Sequence, residues 1–546
     1  MKKNNNLIIG IIIAIALFIF NYFELITINL RYDGFRTIVM FAIFLILLIR
    51  YLKKHGLGTL SGGFQSTNIP TRTMMNLKSW KIFRIFIIVI LLNSLIAFLS
   101  GPVFFASSYA KLIGDIETKE FSSDFSTPKL DSLPIVDTKY AKLLGDKKLG
   151  STSGLGSEFH VGEYTDIVYN DEFYIAAPLE YNGFFKWFNN RKSGTPGYIL
   201  INKSTSKVEL VTALNGKDIS LKYVDSAYLN TDLHRKAYFG GGWNNEITKP
   251  FFELDEEGMP YFVYPKTKKT IGISGGDDVY QTVVVNAVNG EVNVYNLGEQ
   301  PKWVDNVYSS NLISQQLNYY GKYQNGFINS ILGQKGLLRT TDGNRHIYNK
   351  DDLAVYTGMT SIGTDESTVG MAFVDVTNKN AKMYSLTGAT EDAAKKSAEG
   401  KVQNLGYTAS FPIPININGE GAYFITLKDA EGLIKQYAFV NVNDYSIVEN
   451  AVTITEAYSN YVDKMGYDNV ENTDSIAELD AEVVRINDEI VNGDSVYVLL
   501  VKIDGENHLY TWKKPNSEMV LTNVGDKVKI KVNEDKIISF DNLEIE

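Results

Sequence analysis

The sequence predicts an N-terminal set of transmembrane α-helices followed by an α+β, β-rich body that ends in a small β-barrel. Three observations predict this. Three apolar runs crowd residues 1–106, alternating strands broken by Asn or Asp recur four times beyond them, and five short strand patterns fill residues 481–546.

The apolar runs are Leu7–Phe23, Thr37–Leu52 and Ile85–Ala106. Crossing the hydrocarbon core takes roughly 17–25 helical residues. The first run just reaches that length, the second relies on Arg36, Arg50 and Tyr51 reaching to the headgroups, and the third has length to spare. A signal peptide is the bland alternative for the first run. However, NYFEL offers no small-residue cleavage site, and a second apolar run follows at once.

Charge sets the expected orientation. Residues 1–106 carry eleven Lys/Arg against Glu24 and Asp33, a net +9, which leaves the rest of the chain at −19 within a total of −10. Seven of those cations lie between Arg50 and Arg84 with no acid among them. The positive-inside rule puts that segment and the N-terminus in the cytoplasm, so three crossings place everything after Ala106 outside the cell membrane. An acidic exposed body repels polyanions as a whole, which argues against nucleic acid as a partner. With no cysteine and five scattered histidines, neither a disulfide framework nor a thiolate metal site is available, and no cofactor is expected.

The recurring strand pattern appears at Gly197–Val211, Thr282–Tyr295, Val369–Tyr384 and Tyr437–Val448. Each is an alternating strand, an Asn or Asp, a short polar turn and a second alternating strand, which is a β-hairpin signal. A helix is expected over Thr390–Leu405. Thr390 serves as its N-cap, Glu391 and Asp392 each have a Lys four residues on, and Ala394, Ala398, Val402 and Leu405 form its apolar stripe. Strands follow at Ser410–Ile417, Ala422–Leu427 and Gln436–Val442, so the helix can cover a short antiparallel sheet.

A helix followed by a hairpin of the type V-x-V-N/D-x-x-x-G-x-V resembles a PepSY domain; VVVNAVNGEVNVY and YAFVNVNDYSIV carry the resemblance best. More broadly, the chain resembles large Firmicute membrane proteins with a short multi-pass anchor and PepSY-like extracytoplasmic repeats. That resemblance implies binding or inhibition rather than catalysis. The resemblance covers about Tyr181–Val448. With the apolar runs and strand patterns, the chain divides into an anchor with three transmembrane helices (1–106), a tether (107–158), PepSY-like repeat regions (159–335 and 336–470) and an OB-like or SH3-like barrel (471–546).

No linear catalytic motif survives inspection. Gly272–Gly276 matches a nucleophile elbow but lacks the helix that must follow the serine. Ser108–Lys111 and Ser204–Lys207 match S-x-x-K without the accompanying K-T-G strand, and Gly145–Gly150 lacks the phosphate-loop lysine. The acidic pairs Asp277-Asp278 and Asp351-Asp352 read as solvated turns. Two aromatic-basic clusters stand out as binding candidates: Phe184, Phe185, Trp187, Phe188 and Arg191, and Tyr510, Trp512 and Lys513 in the barrel. The first suits a recognition knob or an interfacial helix, against the plainer expectation of a helix packed between two repeats. The second suits stacking on single-stranded nucleic acid, against a purely structural barrel.

The expected function is therefore a membrane-tethered, non-catalytic binding or scaffold protein of a bacterial cell envelope, its partner another envelope protein or a wall polymer. One alternative is an envelope hydrolase with a carboxylate/tyrosine site between repeats; another is extracytoplasmic binding of single-stranded nucleic acid. Oligomeric state is not legible in the sequence.

Overall fold

The computed structural model describes residues 11, 15–55, 79–121, 125, 127–152, 154–349, 352–361, 367–467, 476–491, 494–512, 517–533 and 536–545. The chain forms two compact units, Met1–Tyr458 and Ser459–Glu546.

The first unit begins with helices α1 (Ile15–Glu24), α2 (Asp33–His55), α3 (Ser79–Leu99) and α4 (Pro102–Ala110). Pro102 lacks an N–H and opens a new helix, so the third apolar run bends at Ser100-Gly101-Pro102. Among the described residues, Ile87–Ala110 is the stretch long and apolar enough to cross a membrane. Arg36 does not reach toward headgroups as expected. It is 6% exposed, bonds Asn93 Oδ1 of α3 at 2.6 Å and the Leu30 and Arg31 carbonyls at 2.9 Å, and pairs with Asp33. A guanidinium brings five donors, and enclosing it between α2 and α3 is tolerable because acceptors meet them there. The side chains of Arg50 and Tyr51 lie outside the described residues.

Four larger sheets follow, antiparallel but for one parallel edge strand in the third, and each contains one of the hairpins read from the sequence. The hairpins pair Tyr198–Asn202 with Val208–Val211, Gly275–Asn286 with Val292–Asn296, Ser367–Asp375 with Ala381–Ser385, and Ile434–Asn441 with Val448–Ala451. The same side chain starts each turn. Asn202 Oδ1 accepts the N–H of Ser204 and Thr205 at 3.0 and 2.9 Å. Asn286 does the same for Val288 and Asn289 at 2.9 and 3.0 Å, and Asp375 for Thr377 and Asn378 at 2.7 and 3.0 Å. Asn441 holds the longer fourth turn through Asp444 at 2.8 Å. Four residues after the first three Asx residues come Ser206, Gly290 and Lys379, all at positive φ (59°, 72° and 63°). Short Asx side chains favour such turns by standing in for backbone acceptors.

Residues 107–158 are not a free tether. Ile116–Glu120 adds in parallel to Ala381–Ser385 as an edge of the third sheet. Ile113 and Val136 are fully buried. Helix α5 (Thr138–Gly150), capped by Asp137, buries Ala141 and Leu149. The apolar residues spaced among Ser, Asp and Pro in this stretch are what its core contacts use. The expected boundary at 335/336 also fails. Val263, Val279 and Val284 of the second sheet share one core with Leu353, Val355 and Val374 of the third. The helix Ser310–Tyr323 adds Ile313 and Leu317 to that core.

The remaining helices of the unit are α6 (Phe184–Asn190), α7 (Leu233–Ala237), α8 (Ser310–Tyr323) and α9 (Glu391–Lys401), with α10 (Ile454–Met465) at the unit boundary. Helix α9 is the expected one, capped by Thr390 Oγ1 accepting from Ala393 N–H at 3.2 Å, and it buries Ala394, Ala398 and Val402. Two details differ. Leu405 falls in the 3-10 turn beyond the helix and is 47% exposed. Glu391 turns inward, because Tyr356 and Gly358 of the third sheet offer it donors.

The second unit is a closed five-stranded barrel built from Ile476–Val491, Asp494–Ile503, Glu506–Trp512, Lys527–Asn533 and Lys536–Asn542. Numbered along the chain, its strands run 1-2-3-5-4 and close on 1, with 3 and 5 parallel. A bulge near Val483 bends the 16-residue first strand so that it pairs with the second and the fourth. Helix α11 (Ser517–Leu521) follows the third strand and sends Met519 into the core.

Candidate functional site

A cavity of about 500 Å³ opens between the first and second sheets. Its floor is apolar: Pro178 of the first sheet, with Ile247, Phe252 and Phe262 of the second. Carboxylates ring it. Glu163, Asp225 and Glu246 are exposed, while Glu180 is 7% exposed. Lys249 is the cation of the lining, and it faces Glu163 at 3.2 Å. His234 of α7 completes the wall.

Glu180 is the best-placed group. It sits near the end of Glu172–Tyr181, a strand buried on both faces there, so the carboxyl cannot turn to bulk water. Ser226 N–H donates to it at 2.8 Å. Gly162 leaves room for it, since a Cβ there would lie 2.8 Å from Glu180 Oε1. Burial pushes the Glu180 carboxyl above its ordinary value, and nearby Asp225 adds to the rise. Burial pushes His234 the other way, keeping it neutral, with its ring 5.7 Å from that of Tyr264. An imidazole pushed down and a carboxyl pushed up by burial, lining one cavity above an apolar floor, can bind hydroxyl and ammonium groups. No linear motif announces this set. The only trace is one acid in the apolar run IAAPLEY.

The aromatic-basic clusters lie elsewhere. In α6, Trp187 is 4% exposed and donates Nε1–H to Thr231 Oγ1 at 3.0 Å, while Phe184, Phe185 and Phe188 are 45%, 80% and 47% exposed. The Arg191 guanidinium lies 4.0 Å over the Phe188 ring. The helix is therefore not packed between repeats; one aromatic anchors it and three face outward. In the barrel, Tyr510 and Trp512 are two apart on one strand and so point to the same side, which is the inside. Tyr510 is 8% exposed in the barrel core, and the Trp512 ring sits 5.7 Å from Phe540. Neither forms a stacking platform, and Lys513 lies outside the described residues.

One further constellation has the order of a serine relay. Ser310 Oγ is 3.4 Å from His346 Nε2, and His346 Nδ1 is 3.2 Å from Asp166 Oδ2. Asp166, however, is already neutralised by the buried Lys203 ammonium, which holds its carboxyl well below the usual range. Asp166 is thus shared between Lys203 and His346, and Ser310 Oγ lies at the long end of a hydrogen bond from the ring. The cluster ties α8 to the first and third sheets.

No family model matches the chain, and no curated protein matches it. Among solved structures, it is similar to a levansucrase mutant from B. megaterium (10% identity, 78% of this chain and 98% of that one, TM-score 0.19). It is also similar to a glycoside hydrolase family 32 protein from Bifidobacterium adolescentis (9%, 70% and 65%, TM-score 0.17). A sialidase matches at 9% identity over 79% of this chain and 49% of its own, with a TM-score of 0.16. Likenesses at these TM-scores carry no argument about fold or function.

Proposed function

We propose that this chain is a membrane-held binding protein of a bacterial cell envelope, with its N-terminus in the cytoplasm and its body outside. The acid-ringed cavity carries the reading: its exposed carboxylates and apolar floor suit a polyhydroxylated or ammonium-bearing segment of a wall polymer. The orientation draws support from residues 25–32. They join α1 to α2 and bond to the body, so the body and this loop share one side of any bilayer crossed by α3. The four Asx-turned hairpins and the helix α9 laid on the fourth sheet support the PepSY-like reading. The 1-2-3-5-4 strand order supports an OB-like barrel, and the inward aromatics weigh against its binding single strands.

The test is calorimetric titration of the full chain in detergent with soluble wall-glycan fragments. Binding is expected, weakened roughly tenfold or more by Glu180→Gln, the worth of one charge-assisted hydrogen bond. Failure of every fragment to bind sinks the reading. A second reading rests on the raised Glu180 carboxyl. Raised beside exposed carboxylates, it is placed to act as the acid of a two-carboxylate glycan hydrolase. Release of reducing ends during the same titration, abolished by Glu180→Gln, would favour that reading.

A further inference from the structure

We propose that the helix-proximal rim of the body is itself seated in the lipid interface, so that the outer leaflet is a binding partner of the folded body and not only of the helices. This rests on the membrane reading above. Exposed apolar side chains occur on four separate segments, and each is tied to the end of an N-terminal helix.

The first segment is the turn after α7. Phe239 and Trp243 are 45% and 49% exposed. The Phe239 ring stacks 6.2 Å from that of Tyr22, at the end of α1, and the Trp243 carbonyl accepts Ile28 N–H at 2.9 Å. The second is the hairpin tip at Ile273, 51% exposed, whose N–H donates to Ser100 Oγ at 3.0 Å, just past α3. The third is the turn after α8, where Ile328 and Leu332 are 73% and 80% exposed. Phe327 of that turn packs against the cluster built on Tyr109 of α4. The fourth is α6. Its anchor Trp187 bonds Thr231, and the neighbouring Asn230 accepts the Tyr22 hydroxyl at 2.8 Å.

Two features identify lipid as the occupant. The exposed segments adjoin helix ends, and the helices themselves leave Phe23, Phe98 and Phe104 60%, 54% and 54% exposed. Its chemistry is also that of a bilayer interface: aromatic and branched side chains beside cations, here Lys186, Arg191 and Lys192 flanking the α6 phenylalanines. The body as a whole is acidic, so cations gathered at this edge favour anionic headgroups.

The chain has no cysteine, so single labels are clean. Phe185→Cys, Ile273→Cys, Leu332→Cys and, as a control on the fourth sheet, the exposed Tyr445→Cys would each carry an environment-sensitive fluorophore. The full chain is reconstituted in phosphatidylethanolamine–phosphatidylglycerol vesicles, with and without lipids brominated near the headgroup. Flotation with the vesicles tests the membrane reading by itself, and a chain that stays in solution overturns both claims. In floating vesicles, blue-shifted emission and quenching by bromolipid are expected at positions 185, 273 and 332 and not at 445. Water-exposed emission at those three positions would overturn the rim proposal and leave the anchor standing. Blue-shifted emission without bromolipid quenching would overturn it too, pointing to a protein partner or a second copy.

Discussion

The Tyr356 hydroxyl donates to Glu391 Oε1 at 2.6 Å, joining the third sheet to the helix that covers the fourth. The same carboxylate oxygen accepts Gly358 N–H at 2.7 Å. Both side chains are buried, with Tyr356 fully enclosed. Glu391→Ala leaves two buried donors unmet and should cost about 3 kcal/mol, whereas Tyr356→Phe should cost about 1 kcal/mol. Thermal unfolding of the two variants checks the order. An equal loss would show that the Gly358 bond adds nothing beyond the Tyr356 pairing.

Stability of the first unit should peak at mildly acidic pH. Glu253 accepts N–H groups from Asp305 and Asn306 at 2.8 and 2.7 Å, and burial beside Asp305 pushes its carboxyl up. Burial also pushes Asp305 up to about 7 from its ordinary 3.8. The native state therefore binds protons more tightly than the unfolded one. Stability from this pair is fully present below 3.8 and is lost as pH rises toward 7. Asp137 and Asp166 run the other way, held low by Lys428 and Lys203 against the cost of burial. Their contribution is present above 3.8 and is lost as pH falls below it. Denaturant midpoints across pH 4 to 8 should fall, and Asp305→Asn should flatten the slope. A rising curve contradicts the assignment.

In the barrel, Trp512→Ala should act on folding rather than on ligand affinity. Removing a partly buried ring from the core should cost roughly 2–3 kcal/mol, at or below the range for fully buried aromatics. Urea unfolding measures it. Oligonucleotide retention at physiological salt should be absent in both the parent and the variant. Tight, salt-sensitive binding by the parent would restore the nucleic-acid alternative.

Processing after α3 should not occur. Ala106-Ser107-Ser108 has the small residues of a signal-peptidase site, but they lie within α4, and Tyr109 is buried with its hydroxyl donating to the Ser100 carbonyl at 2.9 Å. Cleavage needs an extended segment, which this helix denies. Mass analysis with a C-terminal antibody should find the intact chain in the membrane fraction. A soluble form starting near Tyr109 would refute this.

Local patterns were legible in the sequence and distant ones were not. The four hairpins could be read because alternation and an Asx residue act within a few positions of each other. The barrel strands were readable for the same reason. Glu180, His234 and Glu246 come from three segments that only the packing of two sheets brings together, so nothing linear marks them. The burial of Tyr510 and Trp512 was, by contrast, available: two residues apart on one strand, both had to face the same way. The fold of residues 107–158 was hidden because its partners lie far along the chain, as when Lys428 pairs with Asp137.

The bonds from residues 25–32 to the body change what kind of instrument the protein is. Asn29 Nδ2 reaches the Asn244 carbonyl at 2.9 Å and Tyr32 the Thr267 carbonyl at 2.7 Å, so on the proposed membrane reading the body is bracketed rather than leashed. A leash lets a head sweep a hemisphere; a bracket fixes its height and tilt. The cavity would then scan a single plane, carried only by lateral drift of the whole molecule. What it meets must lie at that altitude or be delivered there, making the protein a reader of one stratum of its surroundings.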